Sequence, residues 1–148
     1  MPSDRRYNTM QCLVRLKGVK TQITPAEKIF LLTNIVDYGT ISADKDKALA
    51  EARLRYDAST LHNGRGDAFR HCYLSALLTR DIGAEKALEL MTLHEEWCGN
   101  PEAELEMDMH NNSVGVAIGK TVPKDFRDQA LADLCQQAEA SGKLKTLF

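Results

Sequence analysis

Gly66-Asp67-Ala68-Phe69-Arg70-His71-Cys72-Tyr73-Leu74-Ser75-Ala76-Leu77-Leu78-Thr79-Arg80-Asp81-Ile82 reads as one helix, and its make-up decides the fold. At 3.6 residues per turn, Phe69, Cys72, Tyr73, Leu74, Ala76, Leu77 and Leu78 fall around nearly the whole circumference. A helix that is apolar on all sides has to be enclosed by others. The segment from Asp67 to Ile82 is therefore predicted to be the central helix of a compact all-α bundle, ended by Gly83.

Working outward, the other long segments also read as helices, and none shows sustained period-two alternation. Thr24-Pro25-Ala26-Glu27 is a capping box with proline at the first helical position. Ile29, Leu32, Ile35 and Val36 supply the expected packing stripe of a helix that ends before Gly39. Ser42 is predicted to cap a second helix running from Ala43 to about Tyr56, with Ala48, Leu49, Ala52 and Leu54 inward. A fourth helix spans Ala84 to Cys98, a fifth starts at Asn100-Pro101 and reaches about Gly119, and a sixth opens at Pro123 and ends near Ser141-Gly142. The short connections make helices four to six antiparallel neighbours, with four and five on the N-terminal half of the central helix.

The 148 residues, 43% hydrophobic and 27% charged, suit one globular domain over residues 1–148. No apolar run approaches the roughly 20 residues of a bilayer span, and Met1 to Lys20 lacks a signal-peptide core. The expectation is synthesis in the cytoplasm, with any export left to a dedicated secretion machine. The formal net charge is -2, yet residues 81 to 108 hold nine acids against Lys86 alone. Such a surface repels nucleic-acid backbones, so a nucleic-acid partner is not expected. Cys12, Cys72, Cys98 and Cys135 are scattered without a C-x-x-C pair, which argues for buried thiols instead of a zinc knuckle.

The chemically capable side chains crowd the stretch from Asn63 to Gly119. Asp67 and His71 are four apart on one helical face, and Ser75 follows one turn later. An acid beside an imidazole fixes its tautomer and raises its basicity, although Asp67 could equally cap the helix. Gly64, Arg65, Gly66 and Arg70 at a helix start could cradle a phosphate. His94 follows Ala87, Leu90 and Met91 and is expected to point inward, with Glu95 bordering the same face. On helix five, Met107, Asn111, Val114 and Ile118 form a stripe, and Asp108, Asn112 and Gly115 lie beside it. Inward amides need partners, so Asn111 and Asn112 are expected to bond the polar groups of helices three and four. Gly115 would let a neighbouring helix come close.

Taken together, Asp67, His71, His94, Glu95 and Asp108 are the candidate catalytic residues, and Arg70, Asn111 and Asn112 the candidate substrate-binding ones. His71, His94, Glu95 and Asp108 are also the candidate ligands of a divalent metal that activates water. Their order is chemically comparable to that of the HD-type helical phosphohydrolases, although the spacings differ. Catalysis by Cys72 beside His71, or by Cys98 one turn after His94, is the less favoured chemistry, since both positions suit core thiols.

Three ordered stretches carry a family resemblance: Asp67-Ala68-Phe69-Arg70-His71, then His94-Glu95, then Met107-Asp108-Met109-His110-Asn111-Asn112-Ser113-Val114-Gly115. With them the chain resembles a bacterial domain-of-unknown-function family marked by D-A-F-R-H, H-E and M-D-x-x-N-N-x-x-G. Leu74 stands where that family tends to place an aromatic. The resemblance implies a secreted or toxin-like setting; a cognate immunity protein or a secretion-system component is the partner expected, above all for an interaction module binding through its acidic middle. The resulting expectation is a small bacterial hydrolase, an antibacterial effector that prefers a phosphoester. The alternative is a non-enzymatic interaction module whose buried polar network only sets helix register.

Overall fold

In the computed structural model, which describes residues 25–95 and 101–148, the chain forms α1 (Pro25–Thr33), α2 (Tyr38–Arg55), α3 (Arg65–Ile82), α4 (Ala84–Glu95), α5 (Glu102–Lys120) and α6 (Asp128–Ala140). The described residues contain no strand. As its composition requires, α3 is the centre of the bundle: α2, α4, α5 and α6 all pack on it, and α5 does so most extensively. Among the described residues no helix is long and apolar enough to cross a membrane.

Two apolar clusters share α3 between them. Phe69, Cys72, Tyr73, Ala76 and Leu77 face Ala48 and Ala52 of α2 and Leu131, Ala132 and Cys135 of α6. On the other side Leu78 joins Ile41 of α2, Phe30 and Leu31 of α1, and Ala87, Leu90 and Met91 of α4. Phe69 stacks on Tyr73 and lies against Tyr56, so the aromatics gather where α2 meets α3. Burial of these side chains, at roughly 25 cal/mol per Å² of apolar surface, is what holds the bundle.

The α3–α5 contact is made by small residues. A Cβ placed on Gly115 would meet the Cys72 carbonyl oxygen at 2.1 Å, and one on Gly119 would meet Ala76 O at 2.7 Å. The expected close approach at Gly115 is thus present, and Gly119, expected to end the helix, extends it by one turn. Because Gly115 sits at Cys72 and Gly119 at Ala76, α5 runs parallel to α3.

Four expectations are corrected. The first helix stops at Thr33, a 3-10 turn spans Ile35–Asp37, and α2 begins at Tyr38, running through Gly39 and Ser42. The supposed stripe of Ile29, Leu32, Ile35 and Val36 is 66%, 69%, 68% and 93% exposed, and Glu27, Phe30 and Leu31 point inward instead. Phe30 buries more apolar area than any residue of the stripe, and Glu27 gains the imidazole of His94, so the helix turns that face to the core. Similarly Leu54 is exposed while Ile41 takes the inward place on α2. Lastly, α6 packs on α3 far more than on α5, because Leu131, Ala132 and Cys135 meet the α3 side of the core. Trp97, Cys98 and Gly99, assigned to the end of helix four, and the capping residue Thr24 lie outside the described residues, as does Cys12.

Candidate functional site

His71 is the residue around which the polar groups of three helices meet. It lies buried on α3, one turn after Asp67. Its Nε2 is 3.4 Å from Asp67 Oδ1 and 3.4 Å from Asp108 Oδ1 of α5. On the other edge of the ring, Nδ1 is 3.3 Å from Asn112 Oδ1 and 3.4 Å from Glu95 Oε1 at the end of α4. The Asn112 amide donates in turn to Glu95 Oε1, and Ser75 Oγ donates to Asn112 Oδ1. Asp108 and Asn112 reach the ring because they stand on the α5 face that Gly115 and Gly119 bring against α3.

Asp67 partners His71 but does not cap the helix, whose N-cap is Gly64 with no side-chain cap bond. The helix starts two residues ahead of it at Arg65, and its Oδ2 accepts the Asn63 backbone N–H at 2.8 Å, tying down the loop before the helix. Its Oδ1 meanwhile accepts from Arg70 Nη2 at 2.8 Å and faces His71. Asn63 holds a left-handed backbone, φ 61°, which asparagine tolerates better than most residues. From there its side chain donates to Glu104 and its carbonyl accepts the Leu147 N–H. Nothing but its place before the glycine-rich turn marked Asn63 in the sequence.

Enclosure sets the ionisation of the group. Burial works against a charged His71, yet the hydrogen bond to Asp67 and the charges of Asp108 and Glu95 outweigh burial and Arg70, so its pKa is raised. Burial likewise opposes an ionised Asp67, but His71 and Arg70 hold it well below the usual carboxylate range. Burial pushes Asp108 up to about 7, Glu95 and Asp67 add to that, and His71 opposes it. Three acids around one imidazole are too many negative charges for a dry site, and Asp108 is the one that yields.

Arg70, with a side chain 36% exposed, covers the Asp67 side. On the opposite side Glu95 and Asn112 line a shallow cleft of about 30 Å³, walled by Leu88, Met91, Thr92 and Met109. A molecule in this cleft would meet a carboxylate, an amide and mostly apolar walls.

Of the eight sequence candidates, the structure brings together Asp67, Arg70, His71, Glu95, Asp108 and Asn112. The other two face elsewhere. His94 is 40% exposed, and its Nδ1 is 3.0 Å from Glu27 Oε1 on α1. Adjacent helical residues diverge by about 100°, so with Glu95 at His71 its neighbour must face away. Asn111 is fully buried but clamps the C-terminal segment, donating to Lys145 O at 2.9 Å and accepting its N–H at 2.8 Å. Arg65, read as part of an anion cradle, pairs with Glu139 of α6. Cys72 and Cys135 are buried free thiols, and the hydrogen bond to Cys72 together with burial pushes the Cys135 thiol up. They are core residues.

No solved structure matches the chain. The family match is broader than the polar cluster and takes in the helices that carry it. The chain belongs to the family described as Domain of unknown function (DUF6973), whose model matches residues 28–143.

Proposed function

We propose that the protein is a small hydrolase built around His71, with a phosphoester as its favoured substrate class. The observation that carries this reading is the convergence of Asp67, Glu95, Asp108 and Asn112 on one buried imidazole. Glu95 and Asn112, both buried, stand at the floor of a shallow surface hollow beside that cluster.

In the hydrolytic step, water in the cleft meets Glu95 as proton acceptor, with the Asn112 amide holding that carboxylate in place. His71 stands directly behind, held between Asp67 and Asp108 on one edge and Glu95 on the other, and is charged more readily than a free imidazole. Glu95, having taken the proton of the water as the new oxygen–phosphorus bond forms, returns it to the leaving oxygen as the ester bond breaks, with His71 Nδ1 steadying the carboxylate. Arg70, partly exposed beside Asp67 on the face away from the cleft, draws anions toward the cluster by its charge without touching the reacting group, which is why a phosphoester is preferred. In line with the resemblance, the setting proposed for this activity is a secreted antibacterial effector with a cognate immunity protein.

The test is hydrolysis of a panel of chromogenic phosphomonoesters and phosphodiesters by the purified chain, beside His71→Gln. Turnover that falls about 100-fold or more in a folded His71→Gln variant supports the reading. Equal turnover by both proteins, or none by either across the panel, overturns it. A growth assay with expression in the cytoplasm and in the periplasm reports the effector setting: wild type arrests growth in one compartment and His71→Gln in neither.

A further inference from the structure

We propose that Asp67, His71 and Asp108 bind a single divalent transition cation of the Mn²⁺ to Zn²⁺ class, with Nε2 as the imidazole ligand. The inference deepens the hydrolase reading, since it concerns the same cluster, but binding of the metal alone can be measured without any substrate.

The spacing is the first argument. One ligand atom from each of the three residues lies within 4.8 Å of the others. The separations from Nε2 to Asp67 Oδ1 and to Asp108 Oδ1 are both 3.4 Å, at the long end for hydrogen bonds. Atoms bound at about 2.0 to 2.2 Å to one ion stand about 3.0 to 3.5 Å apart on neighbouring vertices, which is the separation found here.

An unanswered oxygen is the second. Asp108 Oδ1 is buried and has no hydrogen-bond partner, although it faces the imidazole. A buried carboxylate oxygen left without a donor costs stability, and a cation at this place would answer it.

The surroundings are the third. Metal-bound histidines usually donate their other ring N–H to a carboxylate or carbonyl. His71 Nδ1 faces both, Asn112 Oδ1 at 3.3 Å and Glu95 Oε1 at 3.4 Å, so that Nε2, with Arg70 Nη2 at 3.4 Å from it, is the nitrogen the ion would take. Asp67 is steadied in the same way by the Asn63 N–H on its far oxygen. One nitrogen and two oxygens suit manganese or zinc, whereas Ca²⁺ asks for six to eight oxygens. Arg70 is the competitor, because its Nη2 sits 2.8 Å from the Asp67 oxygen the cation needs. The half-exposed guanidinium has to swing outward as the ion enters.

The experiment titrates the full chain with MnCl₂, ZnCl₂ and CaCl₂, followed by calorimetry and, with CoCl₂, by the visible absorption of bound cobalt. One site per chain for manganese or zinc is expected, with calcium weak or absent. Asp108→Asn and His71→Gln should lose that site, Asn112→Ala should weaken it about 10- to 100-fold, and Arg70→Met should tighten it. His94→Gln and His62→Gln serve as controls for adventitious surface binding and should leave it unchanged. Binding that survives both Asp108→Asn and His71→Gln, or that vanishes in the His62 or His94 control, overturns the proposal, as does no binding of any transition cation at millimolar concentration. Cobalt absorption from wild type without phosphoester turnover would keep the metal site and sink the hydrolase reading. Turnover without metal binding would do the reverse.

Discussion

Gly115 of α5 lies so close to Cys72 of α3 that a Cβ on the glycine would stand 2.1 Å from the cysteine carbonyl oxygen. Backbone cannot yield as the end of a flexible side chain can. Gly115→Ala should therefore push the two helices apart and cost about 1 to 3 kcal/mol or somewhat more, measured by urea denaturation. Asp108 and Asn112 would retreat from His71 with the same movement, so activity should fall further than stability alone accounts for. A fully stable variant would show that α5 can shift without strain.

His71 and His94 separate catalysis from folding. His94→Ala removes one partner of the buried Glu27 carboxylate and should cost about 1 to 3 kcal/mol while leaving turnover near that of wild type. His71→Gln should do the opposite, abolishing turnover in a folded protein. Comparison of kcat and melting temperature for the two variants checks this, and a dead but stable His94→Ala would contradict it.

Asn111 tests the tail clamp. Both of its amide groups bond Lys145, and His110 Nε2 lies 2.8 Å from Lys143 O. Asn111→Ala should free residues 143–147, seen as faster amide exchange and faster proteolysis there, and cost about 1 to 3 kcal/mol. An unchanged exchange pattern would mean that the Leu147 N–H on Asn63 O holds the tail alone.

Asp44 predicts a pH dependence away from the site. It is 1% exposed on α2, and burial, with a hydrogen bond to Asp81 and repulsion by it, raises its pKa from 3.8 to about 8 against Lys47 and Arg80. A folded-state pKa above the unfolded one means that the native chain holds the extra proton between those two values. Its contribution to stability is full below 3.8 and is lost as pH rises through about 8. The urea midpoint should accordingly fall across this range in wild type, and less steeply in Asp44→Asn, which keeps the neutral form. Equal slopes for the two proteins would show that Asp44 is ionised in the fold.

The central helix was legible because no arrangement leaves Phe69, Cys72, Tyr73, Leu77 and Leu78 all in water, so its neighbours had to surround it. The same reasoning misread α1. Ile29, Leu32, Ile35 and Val36 make a good stripe only if the helix continues past Thr33, and the break at Asn34 takes Ile35 and Val36 off it. Periodicity describes a helix in isolation, and it cannot weigh one face against another when both carry apolar residues.

Sequence by itself determined that the fold is all-α, that Asp67 and His71 share a face, and that polar groups cluster between Asn63 and Gly119, because these follow from spacing along one helix at a time. Only the tertiary structure decided which polar neighbour turns inward: Glu95 to His71 and His94 to Glu27, Asn112 to the imidazole and Asn111 to the tail. Residues one apart on a helix differ by about 100°, and the choice between them rests on the rotation of each helix about its axis. That rotation is fixed by contacts such as Gly115 on Cys72, made between residues distant in the chain.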